Sequence, residues 1–272
     1  MSLPEGKYAD VGDGLRLHYH DVGTGPAVLF LHGSGPGASG HSNFKLNYPV
    51  IAEAGFRCIV PDILGFGFSS MPADARYTIE FMLSGAKNLM DQLGIDRFTV
   101  VGNSMGGAMS IRLALDWPDR VSKLVLMAPG GLEDRETYMA MRGIKRMVKA
   151  IFGGGGITRE SLRKVFELQL FNPADITEGT LDERMEIAVG QPTEVVSTMR
   201  IPNQTERLAE LVCPVLGFWG TDDQFCPASG AMKLAEHIAD ARITLLSRCG
   251  HWVMVEHTDL FNRRTIEFLR EG

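Results

Sequence analysis

Short apolar runs alternate with stretches of helical period along the first half of the chain. Ala27 to Leu31, Arg57 to Val60, Phe98 to Val101 and Lys123 to Met127 are nearly continuous apolar segments, the pattern of strands buried on both faces. Between them, Ser42 to Ala54 reads as a helix. Ile79 to Leu93 carries an apolar stripe of Phe81, Met82, Ala86, Leu89, Met90 and Leu93, and Met105 to Trp117 is a helix closed by Pro118. Strand and helix in this rhythm imply right-handed crossovers and a parallel sheet covered on both sides. Ahead of it, Val11 to Asp21 alternates around the turn Gly12-Asp13-Gly14 and predicts an opening hairpin. Leu15, Leu17 and Tyr19 share one face, and Arg16, His18 and His20 share the other. With no carboxylate or cysteine nearby in sequence, His18 and His20 read as a solvated face rather than a metal pair.

The rhythm stops at Leu132. From there to Leu208 no buried-strand run occurs, only helical stretches rich in Met and charge, with Gly153 to Gly156 as a hinge. So long an excursion needs structure of its own, and it reads as a helical lid over the mouth of the sheet. The sheet resumes at Cys213 to Gly220. A helix over Ala228 to Ala239, a strand over Arg242 to Leu246 and a last helix over Leu260 to Arg270 complete the chain. The expectation is an α/β fold with eight strands, mostly parallel, helices on both faces and the lid between strands 6 and 7. Residues 1–131 and 209–272 would form the core domain, and 132–208 the lid.

Composition narrows the function classes. The chain has 272 residues, 44% of them hydrophobic, and a formal net charge of −6. That balance offers no basic footprint for nucleic acid and no attraction to an acidic lipid surface, so small molecules are the expected partners. No run approaches the ~20 apolar residues of a membrane span, and the first residues lack a signal-peptide pattern, which points to the cytoplasm. Cys58, Cys213, Cys226 and Cys249 form no CxxC pair, so neither a metal site nor a disulfide framework is expected. No cofactor is called for.

The chemistry concentrates where the strands end. Gly102-Asn103-Ser104-Met105-Gly106-Gly107 is a Gly-x-Ser-x-Gly turn between a strand and a helix, which would lift the Ser104 hydroxyl clear of the sheet. A serine hydroxyl is a poor nucleophile near neutrality and needs a base, itself held by a carboxylate. The chain order Ser104, Asp223, His251 supplies both, each partner following a buried strand. Asp223 is preferred to Asp222, which reads as a turn residue. The loop His32-Gly33-Ser34-Gly35-Pro36-Gly37 would provide oxyanion donors at Ser34 and Gly35, beside the Met105 N–H, with His32 bracing the loop. His237 and His257 read as solvated. In the lid, Thr180-Leu181-Asp182-Glu183 fits a capping box, starting a helix near Leu181. Leu181, Arg184, Met185 and Ala188 then share a face. A guanidinium on an apolar stripe, in a first turn where the dipole disfavours it, suggests a clamp for a substrate carboxylate. Met139, Met147 and Phe152 are candidate pocket walls.

These motifs, together with Ser42-Asn43-Phe44, Met127 to Leu132, Trp219 to Asp223 and Cys249-Gly250-His251-Trp252, resemble the meta-cleavage product hydrolases over nearly the whole chain. The resemblance implies the α/β-hydrolase fold and cleavage of a carbon-carbon bond in a 2-hydroxy-6-oxohexa-2,4-dienoate, giving a 2-hydroxypentadienoate and a carboxylic acid. It also implies substrate contacts at Ser34, Asn43, Asn103, Arg184 and Trp252, and a homodimer or larger assembly. The nearest alternative is a carboxylesterase with the same triad, which would need no carboxylate clamp. A non-enzymatic receptor on this fold would be expected to have lost part of the triad or the oxyanion loop, and both are intact.

Overall fold

The computed structural model of the protein describes residues 5–271. Eight strands form one sheet: β1 (Lys7–Asp10), β2 (Arg16–Val22), β3 (Ala27–Leu31), β4 (Arg57–Pro61), β5 (Phe98–Asn103), β6 (Val121–Met127), β7 (Val215–Gly220) and β8 (Ala241–Leu246). Their spatial order is β1-β2-β4-β3-β5-β6-β7-β8. The first two pairings, β1 with β2 and β2 with β4, are antiparallel, and every later one is parallel. Along β3, Val28 and Phe30 enter one apolar layer while Leu29 and Leu31 enter the other. Successive side chains of a strand point to opposite faces, so a strand covered on both must be apolar at every position. β5 lies between β3 and β6, with Leu31 opposite Gly102 and Asn103 opposite Met127.

The helices of the core are α1 (Gly40–Phe44), α2 (Tyr48–Glu53), α3 (Ile79–Gln92), α4 (Met105–Asp116), α10 (Ser229–His237), α11 (Val253–Glu256) and α12 (Thr258–Arg270). Between β6 and β7 run α5 (Arg135–Ala140), α6 (Arg142–Phe152), α7 (Arg159–Phe166), α8 (Glu178–Ala188) and α9 (Glu194–Thr198), so the long excursion is helical as expected. Gly154, Gly155 and Gly156 all have positive φ and break the path between α6 and α7. No helix among the described residues is long and apolar enough to cross a membrane.

Three local expectations are corrected. The single helix over Ser42 to Ala54 is two, α1 and α2, because Asn47 leaves helical geometry at φ −121° and spends its amide on Met254 O and Asn262 Oδ1. Helix α8 starts at Glu178, capped by the Thr177 hydroxyl, not near Leu181. Arg184 therefore stands in its second turn, where the dipole no longer opposes a cation. His18 and His20 are buried, at 6% and 5% exposure. β2 is an inner strand, and α1, α2 and the loop after β4 cover its second face. Asp62, 44 residues away in sequence, brings its carboxylate to 2.8 Å from His18 Nδ1.

Candidate active site

Ser104 follows the last residue of β5 with φ 55° and ψ −118°, a conformation that costs a non-glycine residue ~1–3 kcal/mol. Close packing enforces it. A Cβ on Gly106 would stand 1.9 Å from Leu31 O, and one on Gly102 2.2 Å from Ser110 Oγ. Only glycine lets β3 and α4 approach the turn this closely. Met105 then opens α4, where its N–H has no earlier helical carbonyl to meet, and its side chain is buried in the core.

Asp223 lies beyond β7, which is buried along its length. His251 lies beyond β8, a half-exposed edge strand and not the buried strand expected, because no further strand among the described residues covers its outer side. Asp223 Oδ1 accepts from Phe225 N at 2.7 Å and Cys226 N at 2.9 Å, and His251 Nδ1–H donates to Asp223 Oδ2 at 2.7 Å. The carboxylate thus fixes the ring's orientation and leaves Nε2 as the free lone pair. Phe225 stacks on the imidazole with centroids 5.2 Å apart. Asp222 accepts from Arg248 N and the Thr221 hydroxyl, as a turn residue should. Ser104 and His251 face one cavity without a hydrogen bond between their side chains, and the Ser104 hydroxyl rests beside the Cys226 thiol. Such contacts often close only when substrate arrives.

Ser34, Gly35, Asn43, Asn103, Arg184 and Trp252 line the same cavity. The cavity is small, with a volume of about 30 Å³. A second cavity of about 130 Å³ shares Asn43 and Trp252. Arg184 is 1% exposed and has no carboxylate partner. Its Nη2 donates to Asn43 Oδ1 at 2.8 Å, Asn43 donates to Asn103 Oδ1 at 3.2 Å, and Asn103 donates to Met127 O at 3.2 Å. The guanidinium carbon lies 5.2 Å from the Trp252 ring centre and 5.5 Å from that of Phe166. Its Nε and Nη1 have no partner, and burial lowers its pKa to about 9. A buried cation with unused donors at Nε and Nη1 is equipped to bind an anionic group such as a carboxylate.

His32 has both ring nitrogens occupied. Its Nδ1–H donates to Gly33 O at 2.8 Å and its Nε2 accepts from Ile63 N at 3.0 Å, while burial lowers its pKa to about 4. It braces the loop as a neutral ring. Met147 lines the cavity, but Met139 and Phe152 are 40% and 46% exposed and do not. His237 is exposed and His257 half-buried. The four cysteines are unpaired and buried, and desolvation raises the thiols, Cys213 to about 11 and Cys58 to about 12. Three lining residues escaped the sequence reading: Ile144, Phe225 and Gln169. For Gln169 a signal existed, since it continues the stripe Leu162, Val165, Phe166 at i+7, a polar residue where an apolar one belongs.

The model of the alpha/beta hydrolase fold matches residues 26–155. A 2-hydroxy-6-oxo-6-phenylhexa-2,4-dienoate hydrolase of Comamonas testosteroni is 39% identical over 96% of this chain and 93% of its own. A 2-hydroxy-6-oxononadienedioate/2-hydroxy-6-oxononatrienedioate hydrolase of the same species is 36% identical over 95% and 92%. Among solved structures, a meta-cleavage product hydrolase from Pseudomonas fluorescens superposes with a TM-score of 0.85 at 30% identity, covering 97% of each chain. A strained serine, a histidine steered by a buried aspartate and an unpaired guanidinium in one cleft agree with that kinship. This chain belongs to the meta-cleavage product hydrolases, the 2-hydroxy-6-oxo-dienoate hydrolases of the α/β-hydrolase superfamily.

Proposed function

We propose that this protein hydrolyses the C5–C6 bond of a 2-hydroxy-6-oxo-2,4-dienoate to 2-hydroxypenta-2,4-dienoate and a carboxylic acid, in the breakdown of aromatic compounds. The observation that carries this reading is Arg184: a buried cation whose Nε and Nη1 are unpartnered, lining the cavity that holds Ser104 and His251. Neutral esters give such a group nothing to bind.

Cleaving a carbon-carbon bond directly would leave a carbanion with no electron sink. Ketonisation removes that difficulty. The proton on the C2 oxygen leaves, a proton arrives at C5, and the double bonds shift to give a 2,6-dioxo-3-enoate. After addition of oxygen at C6, the electrons of the breaking C5–C6 bond flow through C4 and C3 to the C2 carbonyl. His251, steered by Asp223, moves the protons and activates Ser104 or water for the attack at C6. The N–H groups of Ser34, Gly35 and Met105 face the oxyanion, where loss of one donor typically costs ~10²-fold or more. Asn43 and Asn103 hold Arg184 on the carboxylate, and Trp252 packs against its plane. Ile144, Met147 and Phe225 favour an uncharged group on the ketone side, because Arg184 is the one Lys or Arg among the described lining residues. Residues 132–208 serve as the lid on the core domain, 1–131 and 209–272. The reading extends to a cytoplasmic enzyme working as a homodimer or larger assembly.

Wild type and Ser104→Ala mixed with coloured dienolates and with p-nitrophenyl esters provide the test. Wild type should bleach the dienolate and Ser104→Ala should lose steady-state turnover. Rapid ester hydrolysis with no dienolate consumed would make the protein a carboxylesterase instead.

A further inference from the structure

We infer that Gln169 reads the C2 oxygen of the substrate, with its carboxamide serving both the enol and the ketone form. This rests on the dienoate reading above. Gln169 is 4% exposed and lines the cavity with Ser104, Arg184 and His251. Its Oε1 is buried and has no partner. An unsatisfied buried amide oxygen is unfavourable by ~1–3 kcal/mol, so an apolar side chain of similar size would serve stability better. The position is also rigid. Gln169 N donates to Phe166 O at 2.9 Å just past α7, and its carbonyl accepts from His251 N at 2.7 Å. The side chain is therefore delivered into the cleft by the same peptide that anchors the catalytic histidine's loop.

The amide and the guanidinium converge. A point one Cβ above Gly35 lies 3.5 Å from Gln169 Nε2 and 3.7 Å from Arg184 Nη1. With the substrate carboxylate held at Arg184 Nη1, the adjacent C2 oxygen is the first atom within reach of Gln169. Before ketonisation that oxygen bears a proton, and Oε1 accepts from it. Afterwards it is a carbonyl, and Nε2 donates to it. A carboxamide carries both a donor and an acceptor, so it can follow the change of tautomer without itself gaining or losing a proton. His251 remains the group that moves protons. Gln169 is a positioning and specificity residue that admits acids bearing an oxygen at C2.

The experiment compares wild type, Gln169→Leu and Gln169→Ala with two probes: a coloured 2-hydroxy-6-oxo-2,4-dienoate as substrate, and a 6-oxo-2,4-dienoate lacking the C2 hydroxyl as competitive inhibitor. Both variants should bind the inhibitor as wild type does, which also shows an intact pocket. For the hydroxylated substrate, each should lose about tenfold in kcat/KM, with slower spectral conversion of dienol to ketone in stopped flow. Unchanged kinetics on the substrate would overturn the inference. So would equal losses on both probes, since a purely structural side chain cannot discriminate at C2. If wild type consumes no dienolate at all, it is the dienoate reading that fails, and the two failures are distinct.

Discussion

Two buried His–Asp pairs of nearly identical geometry sit in this molecule, and only one borders a reactive cleft. His251 Nδ1 lies 2.7 Å from Asp223 Oδ2, and His18 Nδ1 lies 2.8 Å from Asp62 Oδ2. Each aspartate also accepts two backbone N–H groups: Phe225 and Cys226 at Asp223, Gly40 and Phe68 at Asp62. Each imidazole has a phenyl ring 5.2 Å away, Phe225 or Phe68. The difference is at the second ring nitrogen. His251 Nε2 opens on the cavity of Ser104 and Arg184, whereas His18 Nε2 is sealed by Gly6, where one added Cβ would stand 1.9 Å away. A steered imidazole becomes a general base only if its other nitrogen can meet a substrate. The sealed pair does structural work, tying β2 to the start of α1 and the loop after β4.

The sharpest way to break the comparison is to remove each carboxylate's charge. Asp223→Asn should lower kcat/KM on the dienolate by about 10⁴-fold with little change in unfolding midpoint. Asp62→Asn should leave turnover per folded molecule within a few-fold and lower stability by about 2–4 kcal/mol in urea unfolding. An Asp62→Asn enzyme that stays stable but loses turnover would reverse the assignment. Arg184 extends the contrast to a buried ion with no counter-charge. Arg184→Met should cut kcat/KM about 10²- to 10³-fold, mostly through KM. Its stability should be unchanged or about 1–2 kcal/mol higher, because an unpaired buried cation is unfavourable in the free enzyme.

Acid should expose the histidines held neutral around the sealed pair. Burial first, then the neighbouring His18, lowers His20 from 6.5 to about 4, and burial lowers His32 to about 4. Between those values the unfolded chain binds protons that the folded chain refuses. Stability is therefore full above pH 6.5 and is lost as pH falls towards 4, by up to about 3 kcal/mol per group. Asp62 extends the loss. Burial alone would raise its pKa, but the hydrogen bonds from His18 and from Phe68 N–H bring it below the usual carboxylate range. Urea midpoints at pH 7, 5.5 and 4.5 measure this, and His20→Gln should flatten the slope. The smallest effects concern the phenyl rings. Phe225→Leu should reduce kcat/KM several-fold, whereas Phe68→Leu, at a ring already 38% exposed, should cost under about 1 kcal/mol and no activity.

Much of this was readable before folding. Ser104, Asp223 and His251 each follow an apolar run, and the ends of parallel strands converge at one edge of a sheet. Arg184 betrayed itself by interrupting an apolar stripe, although the start of its helix was misplaced by three residues because Thr177 and Thr180 are both plausible caps. Gln169 interrupts a stripe in the same way and went unread, since a glutamine carries no charge to attract notice. Met139 and Phe152 looked like pocket walls because Met and Phe usually seek the interior, yet both side chains are exposed. His18 and His20 were placed in solvent because the partner Asp62 lies 44 residues on.

Periodicity, turn chemistry and the order of nucleophile, acid and base are properties of neighbouring residues, and the amino-acid sequence alone determined them. Which histidine keeps a nitrogen open, which buried cation lacks a counter-charge and which side chains meet in the cleft were decided only in three dimensions. Desolvation and pairing depend on atoms delivered from distant parts of the chain, and no local pattern encodes their arrival.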